Sequence, residues 1–374
     1  MSKHVLILGG QGRIGSSVAR DLLNHTQVHL TVTGKHPGTA YPSQLPSDRC
    51  QVLQLDLADT EKLATAIATA DLVIHCAGPF HHRDAGVLQQ CIRQGVDYLD
   101  VSDNVRFTRK VLACRAAAAA AGVTAIVNTG IFPGISNSMV RQGVEQLDQA
   151  DEIRLSYVVG GSGGAGLTVL RTTFLGLLQP FDAWIDGKWH KVHPYSDREP
   201  LHLPPPYNTV HVYWYEMPET FTLAEAFPVK TVVTKFGSVP DFYNHLTWIA
   251  AHVFPKSWIR HPGGTEFLSQ VSYRMTQVSD RLSGIGVGIR CDVVGQRHGQ
   301  PVSYYSTLVH HNTAVIAGYG TGSIAELVLA GTLQKPGVWA VEEALSTELF
   351  QQTMQSRGIE IQQGWGEERL AISD

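Results

Sequence analysis

A glycine pattern near the start of the chain restricts the possible fold more than any other feature. Gly10, Gly12 and Gly15 lie between an apolar run at residues 5–8 and a stretch at residues 14–23 whose apolar residues recur at helical spacing. In a strand, tight turn and helix of this kind, the glycines form the turn, admit a pyrophosphate close to the backbone, and allow the helix to pack on the strand. The pattern predicts that the phosphates of a dinucleotide bind at the helix N-terminus. The predicted contact residues are Gly10, Gly12, Arg13, Ile14 and Gly15.

Strand and helix signals alternate through the rest of the first third of the chain. Such alternation is typical of a doubly wound parallel sheet with helices on both faces. We therefore predict a Rossmann NAD(P)-binding domain at residues 1–136. Its predicted strands are residues 5–8, 28–33, 52–55, 71–76, 98–101 and 124–128, and its predicted helices are residues 14–23, 59–70, 86–94 and 105–121.

The end of the second predicted strand indicates which dinucleotide is preferred. An NAD-binding domain usually presents an acidic residue there, about 20 residues after the glycines, to bind the ribose hydroxyls. This chain instead has Thr33, Gly34, Lys35 and His36. A ribose phosphate would meet a cation and small polar groups, so we predict NADP(H), with Thr33 and Lys35 in contact with it. NAD(H) stays the alternative if Lys35 is an ordinary exposed loop lysine.

Two further strand ends contribute candidate cofactor contacts. Ligands of open α/β sheets lie beyond the carboxyl ends of the strands. Asp56 and Leu57 follow the third predicted strand, at the usual place of the adenine ring. The segment after the fourth strand is expected to pass the nicotinamide ribose, and it consists of Ala77, Gly78, Pro79 and Phe80.

The residue pattern changes in the remainder of the chain, which predicts a second domain. Residues 137–320 read as an α+β substrate or dimerisation domain with a mainly antiparallel sheet, and residues 321–374 as C-terminal helices that pack back on the Rossmann domain. An Asp186-Gly187 pair predicts a hairpin turn within residues 184–192. The other predicted strands are residues 155–159, 209–215, 286–294 and 302–310, and the predicted helices are residues 167–178, 242–253, 267–279, 322–330 and 341–355.

Composition excludes several classes of partner. The net charge of −4 gives no general attraction to nucleic acid or to an anionic membrane, and no apolar run approaches the length that spans a bilayer. Five widely spaced cysteines without a CxxC pair favour reduced thiols over disulfides or zinc, and we predict no metal site. We expect a cytoplasmic protein, because residue 5 already begins a strand and leaves no room for a signal segment. For residues 246–254, with Trp248 and Trp258, we prefer a buried helix to an interfacial apolar patch.

Four motifs in this order resemble the saccharopine dehydrogenase-like family; they lie at residues 9–15, 71–80, 91–103 and 130–135. The resemblance covers residues 4–140 well. It implies a Rossmann domain, NAD(P) binding, and a cleft between two domains in which a hydride moves between the nicotinamide and a carbon atom. Relatives of this kind act on saccharopine, lysine, polyamine precursors or lipid-like enoyl compounds, so the substrate does not transfer to this chain.

Candidate catalytic residues follow the fourth and fifth strands. His81 and His82 are expected beyond the nicotinamide, where a histidine can donate a proton near neutral pH. Asp100, Ser102, Asp103 and Asn104 are candidates to orient the carboxamide or to bind substrate, although we prefer a helix-capping role for Asp103. The segment with Phe132 and Pro133 resembles the interdomain crossing of the family, which lines the nicotinamide pocket, and its alternative is a rigid turn.

These observations favour an NADP(H)-dependent oxidoreductase that transfers a hydride to or from a small amino-acid-derived or imine substrate. One alternative is an enoyl or carbonyl reductase with an apolar, lipid-like substrate, and another is a non-catalytic NAD(P)-binding sensor or scaffold. A short-chain reductase is disfavoured, since no tyrosine has a lysine four residues later. A homodimer through an open face of the second sheet is a further expectation.

Overall fold

The computed structural model describes residues 3–35, 48–161, 163 and 166–366. His36, which the sequence placed beside the ribose, lies outside these residues. The described strands are β1 (His4–Leu8), β2 (His29–Gly34), β3 (Cys50–Gln54), β4 (Leu72–His75), β5 (Asp97–Asp100), β6 (Thr124–Val127), β7 (Gln149–Gly160), β8 (Phe181–Ile185), β9 (Lys188–Val192), β10 (Glu199–His202), β11 (Thr209–Trp214), β12 (Thr231–Val239), β13 (Val287–Arg297), β14 (Gln300–His310), β15 (Gly337–Ala340) and β16 (Gln362–Gly366).

The helices alternate with the strands in the first third of the chain and cluster in longer runs after it. They are α1 (Arg13–His25), α2 (Thr60–Ile67), α3 (Gly86–Gln94), α4 (Val105–Leu112), α5 (Arg115–Ala120), α6 (Ile135–Val144), α7 (Leu167–Gly176), α8 (Glu219–Ala226), α9 (Phe242–His252), α10 (Lys256–Arg260), α11 (Pro262–Ser283), α12 (Thr313–Leu329), α13 (Val341–Ala344) and α14 (Thr347–Ser356), with a short 3-10 turn at Phe80–His82.

The chain forms two compact units, and each contains two separate segments. Unit 1 consists of Met1–Ser138 and Ala314–Ile359, and unit 2 of Met139–Thr313 and Glu360–Asp374. This division differs from the predicted one at the C-terminal end. The segment predicted as helices over residues 321–374 also contains β15, which belongs to unit 1, and β16, which belongs to the sheet of unit 2. These strands are only four and five residues long, and the sequence signal of so short a strand is weak.

Unit 1 is built on a seven-stranded sheet in which every pair of neighbours is parallel. The strand order is β15-β6-β5-β4-β1-β2-β3, so the connections run in opposite directions on the two sides of β1. This is the predicted doubly wound Rossmann sheet. Its core includes Leu6, Val73 and Tyr98 from the strands and Phe107 and Val111 from α4, all buried. In such a sheet the ligand site lies where the strand order reverses, beyond the carboxyl ends of β1 and β4.

One helix predicted in unit 1 is divided into two helices in the structure. The alanine-rich stretch at residues 105–121 was expected to be continuous, but α4 ends at Leu112 and α5 begins at Arg115. The Arg115 guanidinium donates to the backbone oxygen of Val338, at 2.8 Å, and to Glu343, also at 2.8 Å. These bonds fix the second helix against β15, which lies more than 200 residues later in the chain, so helix propensity alone does not reveal the break.

Unit 2 contains a mixed sheet with mostly antiparallel pairs, as predicted. Its strand order is β10-β11-β12-β7-β13-β14-β16, with the β8–β9 hairpin attached to β12. The exception to the antiparallel pattern is the pair β12 and β7, which is parallel along nine registered residues. The sequence analysis missed β12. The predicted hairpin turn is confirmed, since Asp186 and Gly187 have φ angles of 51° and 73°, the conformation that a two-residue hairpin turn requires.

Helices cover one part of this sheet. Phe174 of α7, Ala250 and Ala251 of α9 and Ile259 of α10 share a buried cluster with Tyr213 of β11. Among the described residues, no helix combines the length and apolar character that a bilayer crossing needs, and no three metal-ligating side chains converge on one point. All five cysteines are free thiols.

Candidate cofactor-binding site

The turn between β1 and α1 requires glycine because the backbone approaches other atoms too closely for a side chain. A Cβ atom at Gly10 would lie 2.6 Å from the Cβ of Val32, and one at Gly15 would lie 2.5 Å from the carbonyl oxygen of Gly9. Gly9 itself has a φ of +76°, and its Cβ would lie 2.8 Å from the backbone of Ala77. At these three glycines the backbone of the turn lies directly against β2, the start of α1 and the end of β4.

Thr33 stabilises the same turn from the neighbouring strand. Its hydroxyl accepts a hydrogen bond from the Gly9 amide at 3.1 Å, and its carbonyl oxygen accepts one from the Gln11 amide at 3.2 Å. The Thr33 side chain is buried. The structure therefore gives Thr33 a positioning role for the glycine turn, while its predicted contact with the cofactor stays a prediction.

The N-terminus of α1 has the properties of an anion site. Gly12 is its N-cap residue and provides no side-chain hydrogen bond. Gly12, Arg13 and Ile14 are exposed, whereas Gly15 is buried. The first amides of a helix lack intrahelical partners and carry the positive end of the helix dipole, so a pyrophosphate fits here without any side chain in its way. This cradle fits the dinucleotide that the sequence predicted.

Lys35, at the end of β2, is held in place by a residue from the neighbouring strand end. Its ammonium group lies 3.0 Å from a carboxylate oxygen of Asp56, and both side chains are largely exposed. A hydrogen bond from the Ala58 amide, together with the Lys35 ammonium, holds the pKa of Asp56 below its usual range. Two residues predicted to bind different parts of the cofactor thus form one ion pair, which places a cation beside the end of β2.

A cavity of about 350 Å³ lies beside these strand ends. Leu57 and Ala58, which follow β3, form one wall, and His82 and Arg83, which follow β4, form another. Val87 and Gln90 of α3 also line it. The structure brings together the segments after β3 and β4, at the place where the sequence analysis expected the adenine ring. Its lining is mixed, with apolar side chains and the guanidinium groups of Arg83 and Arg93.

The two candidate histidines lie on the 3-10 turn that follows Pro79. Their ring centroids are 3.7 Å apart. His82 is exposed and His81 is partly buried. Burial, followed by the neighbouring His82, lowers the pKa of His81, so its imidazole is mainly neutral at neutral pH. Ala77, Gly78 and Pro79 before this turn are at least partly accessible, whereas the Phe80 ring is buried against Phe107 at 4.9 Å.

A buried polar cluster at the ends of β5 and β6 joins Asp100, a candidate from the sequence, to Asn128, which the sequence analysis did not single out. Asp100 is fully buried and accepts hydrogen bonds from the amides of Ser102 and Asn128, each at 3.0 Å. Burial nevertheless raises the pKa of Asp100 to about 6. The Asn128 side-chain amide donates to the Ser102 carbonyl oxygen at 2.7 Å and to the Thr108 hydroxyl at 2.9 Å. The signal that marks Asn128 is a polar residue directly after an apolar strand.

This cluster changes the interpretation of the loop after β5. The Ser102 hydroxyl is buried and accepts a hydrogen bond from the Asn104 amide at 3.1 Å, so it holds the loop in place. The capping role preferred for Asp103 is wrong. Asn104 caps α4 by accepting the Phe107 amide at 3.0 Å, and Asp103 is exposed one residue earlier. The catalytic role of Asp103 and the cofactor contact of Ser102 stay predictions.

Phe132 and Pro133 lie in the segment after β6. Both are buried. Gly134, which follows them, has a φ of +133° and sits against the backbone of Gly130. This geometry is that of the rigid turn that the sequence analysis left as an alternative, and contact with a nicotinamide stays a prediction.

Comparison with known proteins supports the assignment of unit 1. Residues 5–126 match the family described as saccharopine dehydrogenase NADP binding domain. A curated relative, a probable mitochondrial saccharopine dehydrogenase-like oxidoreductase of Arabidopsis thaliana, is 28% identical over 122 residues. That alignment covers 29% of this chain and 27% of the relative, so the similarity spans about a quarter of the relative's length.

The whole chain also resembles a solved structure. The apo saccharopine dehydrogenase (L-Glu forming) of Saccharomyces cerevisiae superposes with a TM-score of 0.69, covering 98% of this chain and 100% of that one at 17% identity. A likeness at this identity shows the fold of both units. The resemblance predicted from the four motifs is confirmed: residues 5–126 are similar to a saccharopine dehydrogenase NADP binding domain, and the chain shares the fold of the yeast saccharopine dehydrogenase.

Proposed function

We propose that the protein is an NADP(H)-dependent oxidoreductase that transfers a hydride to or from a small amino-acid-derived or imine substrate. The match of residues 5–126 to an NADP-binding domain supports the cofactor, and the fold shared with saccharopine dehydrogenase supports the reaction type. The observation that carries the proposal is the pair of recognition elements in unit 1: an exposed glycine turn at the start of α1, and a cation fixed by Asp56 at the end of β2.

The residues of unit 1 have separate roles in this proposal. The amides at the start of α1 bind the pyrophosphate, the Lys35 ammonium binds the ribose phosphate, and the cavity lined by Leu57 and Val87 receives the adenine. When bound, NADP(H) supplies or accepts the hydride. His81 holds or moves the proton that accompanies hydride transfer. Because its pKa lies below the ordinary value, the protonated form declines as the pH rises through the weakly acidic range, and reduction slows with it.

Titration of the purified protein with NADPH and NADH, followed by nicotinamide fluorescence, tests the cofactor assignment. We expect tighter binding of NADPH. Lys35→Asp removes the cation and places a carboxylate beside Asp56, so the dissociation constant of NADPH should rise about tenfold or more, because a charged hydrogen bond contributes roughly 1.5–3 kcal/mol. NADH has no ribose phosphate, and its affinity should stay the same or increase, which would reverse the preference.

Lys110→Asp is the matched control. It makes the same change of charge on an exposed lysine near the C-terminal end of α4, away from the carboxyl edge of the sheet. This variant should bind both nucleotides as the wild type does. If neither nucleotide binds the wild-type protein, the oxidoreductase proposal fails. Binding of a nucleotide without turnover of any substrate in the screen would favour the non-catalytic NAD(P)-binding sensor or scaffold.

The substrate class, the location and the assembly need separate measurements. A screen of amino acids, oxo acids with amines, and enoyl compounds, with NADPH consumption or formation as the readout, separates the amino-acid proposal from the apolar-substrate alternative. The predicted cytoplasmic location and homodimer stay predictions, and cell fractionation and light scattering test them.

A further inference from the structure

Helix α11 of unit 2 has its polar and apolar faces reversed. Its buried face carries small polar side chains, among them Thr265, Ser269 and Thr276. Large apolar side chains lie on the opposite, exposed face, where Phe267 is 59% and Val278 68% exposed. A surface helix of a globular protein normally has the opposite arrangement. The sequence of α11 is therefore typical of a helix whose outward-facing side contacts an apolar environment.

Helix α9 presents a second apolar stripe to the outside. Phe242, Leu246, Ile249 and Val253 follow one another at helical spacing, and each is between 36% and 61% exposed. The helix is anchored from its other side, where the Tyr243 hydroxyl lies 2.7 Å from the Ser279 hydroxyl of α11. The buried helix preferred from the sequence is therefore wrong for this outer stripe.

Helix α10 connects the two stripes. The ring of Trp258, which is 39% exposed, lies 6.1 Å from the ring of Phe267 and 5.5 Å from that of Phe254. We call the exposed apolar side chains of α9, α10 and α11 the α9–α11 face. Nine of the thirteen large apolar side chains that are exposed in the described residues fall between Phe242 and Val278. Such a concentration marks a binding surface, because apolar side chains on ordinary surfaces are scattered.

The charge around this face differs from that of the chain as a whole. Between residues 242 and 283 there are four Lys or Arg residues and two carboxylates, in a chain whose net charge is −4. The exposed cations Lys256, Arg260 and Arg274 lie among the apolar side chains. Glu266, one of the two carboxylates, is paired with Arg171 at 2.7 Å. The face is therefore apolar with a positive surround.

We propose that the α9–α11 face binds the surface of a membrane that contains anionic lipid. Apolar and aromatic side chains enter the boundary between headgroups and acyl chains, and the neighbouring Lys and Arg side chains meet the lipid phosphates. Charge favours this partner over a second copy of the chain, since a two-fold contact would place the positive surround against itself. The protein would lie on the membrane, attached through unit 2.

Co-sedimentation of the full chain with vesicles tests the proposal. One set of vesicles is phosphatidylcholine and the other contains about one-third phosphatidylserine. We expect binding to the anionic vesicles and weaker binding to the neutral ones, with a loss of affinity as the salt concentration rises. Phe267→Asp and Leu246→Asp should each lower the partition coefficient about tenfold or more, as expected when a large apolar side chain no longer enters the lipid.

Trp189→Asp is the matched control, because Trp189 lies on β9 of the same unit and is 44% exposed. It should bind vesicles like the wild type. Since all three side chains are exposed, the variants should fold, and their thermal unfolding checks this. The proposal is overturned if the wild type does not bind anionic vesicles, or if Phe267→Asp binds them unchanged. It is also overturned, in favour of a second copy, if light scattering shows a dimer that Phe267→Asp converts to a monomer while vesicles are ignored.

Discussion

At the scale of single residues, the glycine turn between β1 and α1 is tightly constrained. Gly9 has a positive φ and no room for a Cβ beside Ala77. Gly95, the C-cap of α3, has a similar φ of +68° but open space around it. Alanine substitutions at the two glycines therefore separate the free-energy cost of a side chain at positive φ from the cost of a steric clash.

We expect Gly9→Ala to lower the free energy of unfolding by about 2 kcal/mol or more, and Gly95→Ala by about 1 kcal/mol, because only the first adds a clash to the strained φ. Urea denaturation of both variants measures the difference. Equal losses would mean that the turn can move away from Ala77, and the rigid cradle described for the pyrophosphate would then be wrong.

Asp100 should make the stability of unit 1 depend on pH. Its pKa is about 6 in the folded protein, against an ordinary value of 3.8 for an aspartate side chain. The folded state thus binds the proton more tightly than the unfolded state, and this contribution to stability is complete below pH 3.8 and is lost as the pH rises through 6. Asp100→Asn keeps an oxygen for the Ser102 and Asn128 amides but cannot ionise.

The free energy of unfolding of wild type, relative to Asp100→Asn, should therefore fall by up to about 3 kcal/mol between pH 4 and pH 7. Urea denaturation of both proteins at several pH values gives this difference directly. A difference that does not change with pH would show that Asp100 titrates normally and that its burial is incomplete.

At the scale of helices and strands, the sequence predicts the elements that are determined by local residue patterns. The strands and helices from β1 to α3 follow from apolar runs, glycines and caps; the Asp59 side chain, for example, caps α2 by accepting the Lys62 amide. The missed elements depend on distant partners. The strand β15 pairs with β6, where Gly337 is in register with Thr124, and nothing close to Gly337 in the sequence indicates this. The gap between α4 and α5 likewise depends on the contacts of Arg115.

The candidate site divides in the same way. The turn at Gly9 to Gly15 and the lysine after β2 can be predicted from the sequence, because their positions relative to the first two strands indicate their function. The ion pair between Lys35 and Asp56 is not, since it joins two strand ends that only the fold brings together. The buried cluster around Asp100 is hidden for the same reason.

At the scale of the whole molecule, the second segment of unit 1 is held by a buried ionic cluster. Arg357, just after α14, lies 2.7 Å from Asp21 of α1 and 3.0 Å from Glu326 of α12. The side chains of Arg357 and Asp21 are fully buried. These contacts join the N-terminal segment to the returning one.

Arg357→Met should lower the free energy of unfolding by about 3–5 kcal/mol, because it leaves the Asp21 carboxylate buried without its cation. The double variant Asp21→Leu with Arg357→Met removes both charges and should recover most of the loss. Thermal and urea unfolding of the three proteins test this, and a double variant as unstable as the single one would show that packing of the arginine stem, rather than charge, is what is lost.

The division of both units into two chain segments has a consequence for synthesis on the ribosome. The sheet of unit 1 lacks its edge strand until Gly337–Ala340 has left the exit tunnel, and that of unit 2 lacks its own until Gln362–Gly366 has done so. Because β15 follows every strand of unit 2 except β16, the sheet of unit 1 cannot be completed before most of unit 2 has been made. During this interval the edge of β6 is open to pairing with other nascent chains, and contacts of such long sequence separation form slowly. We expect the newly made chain to need protection by chaperones until residues 337–366 are available.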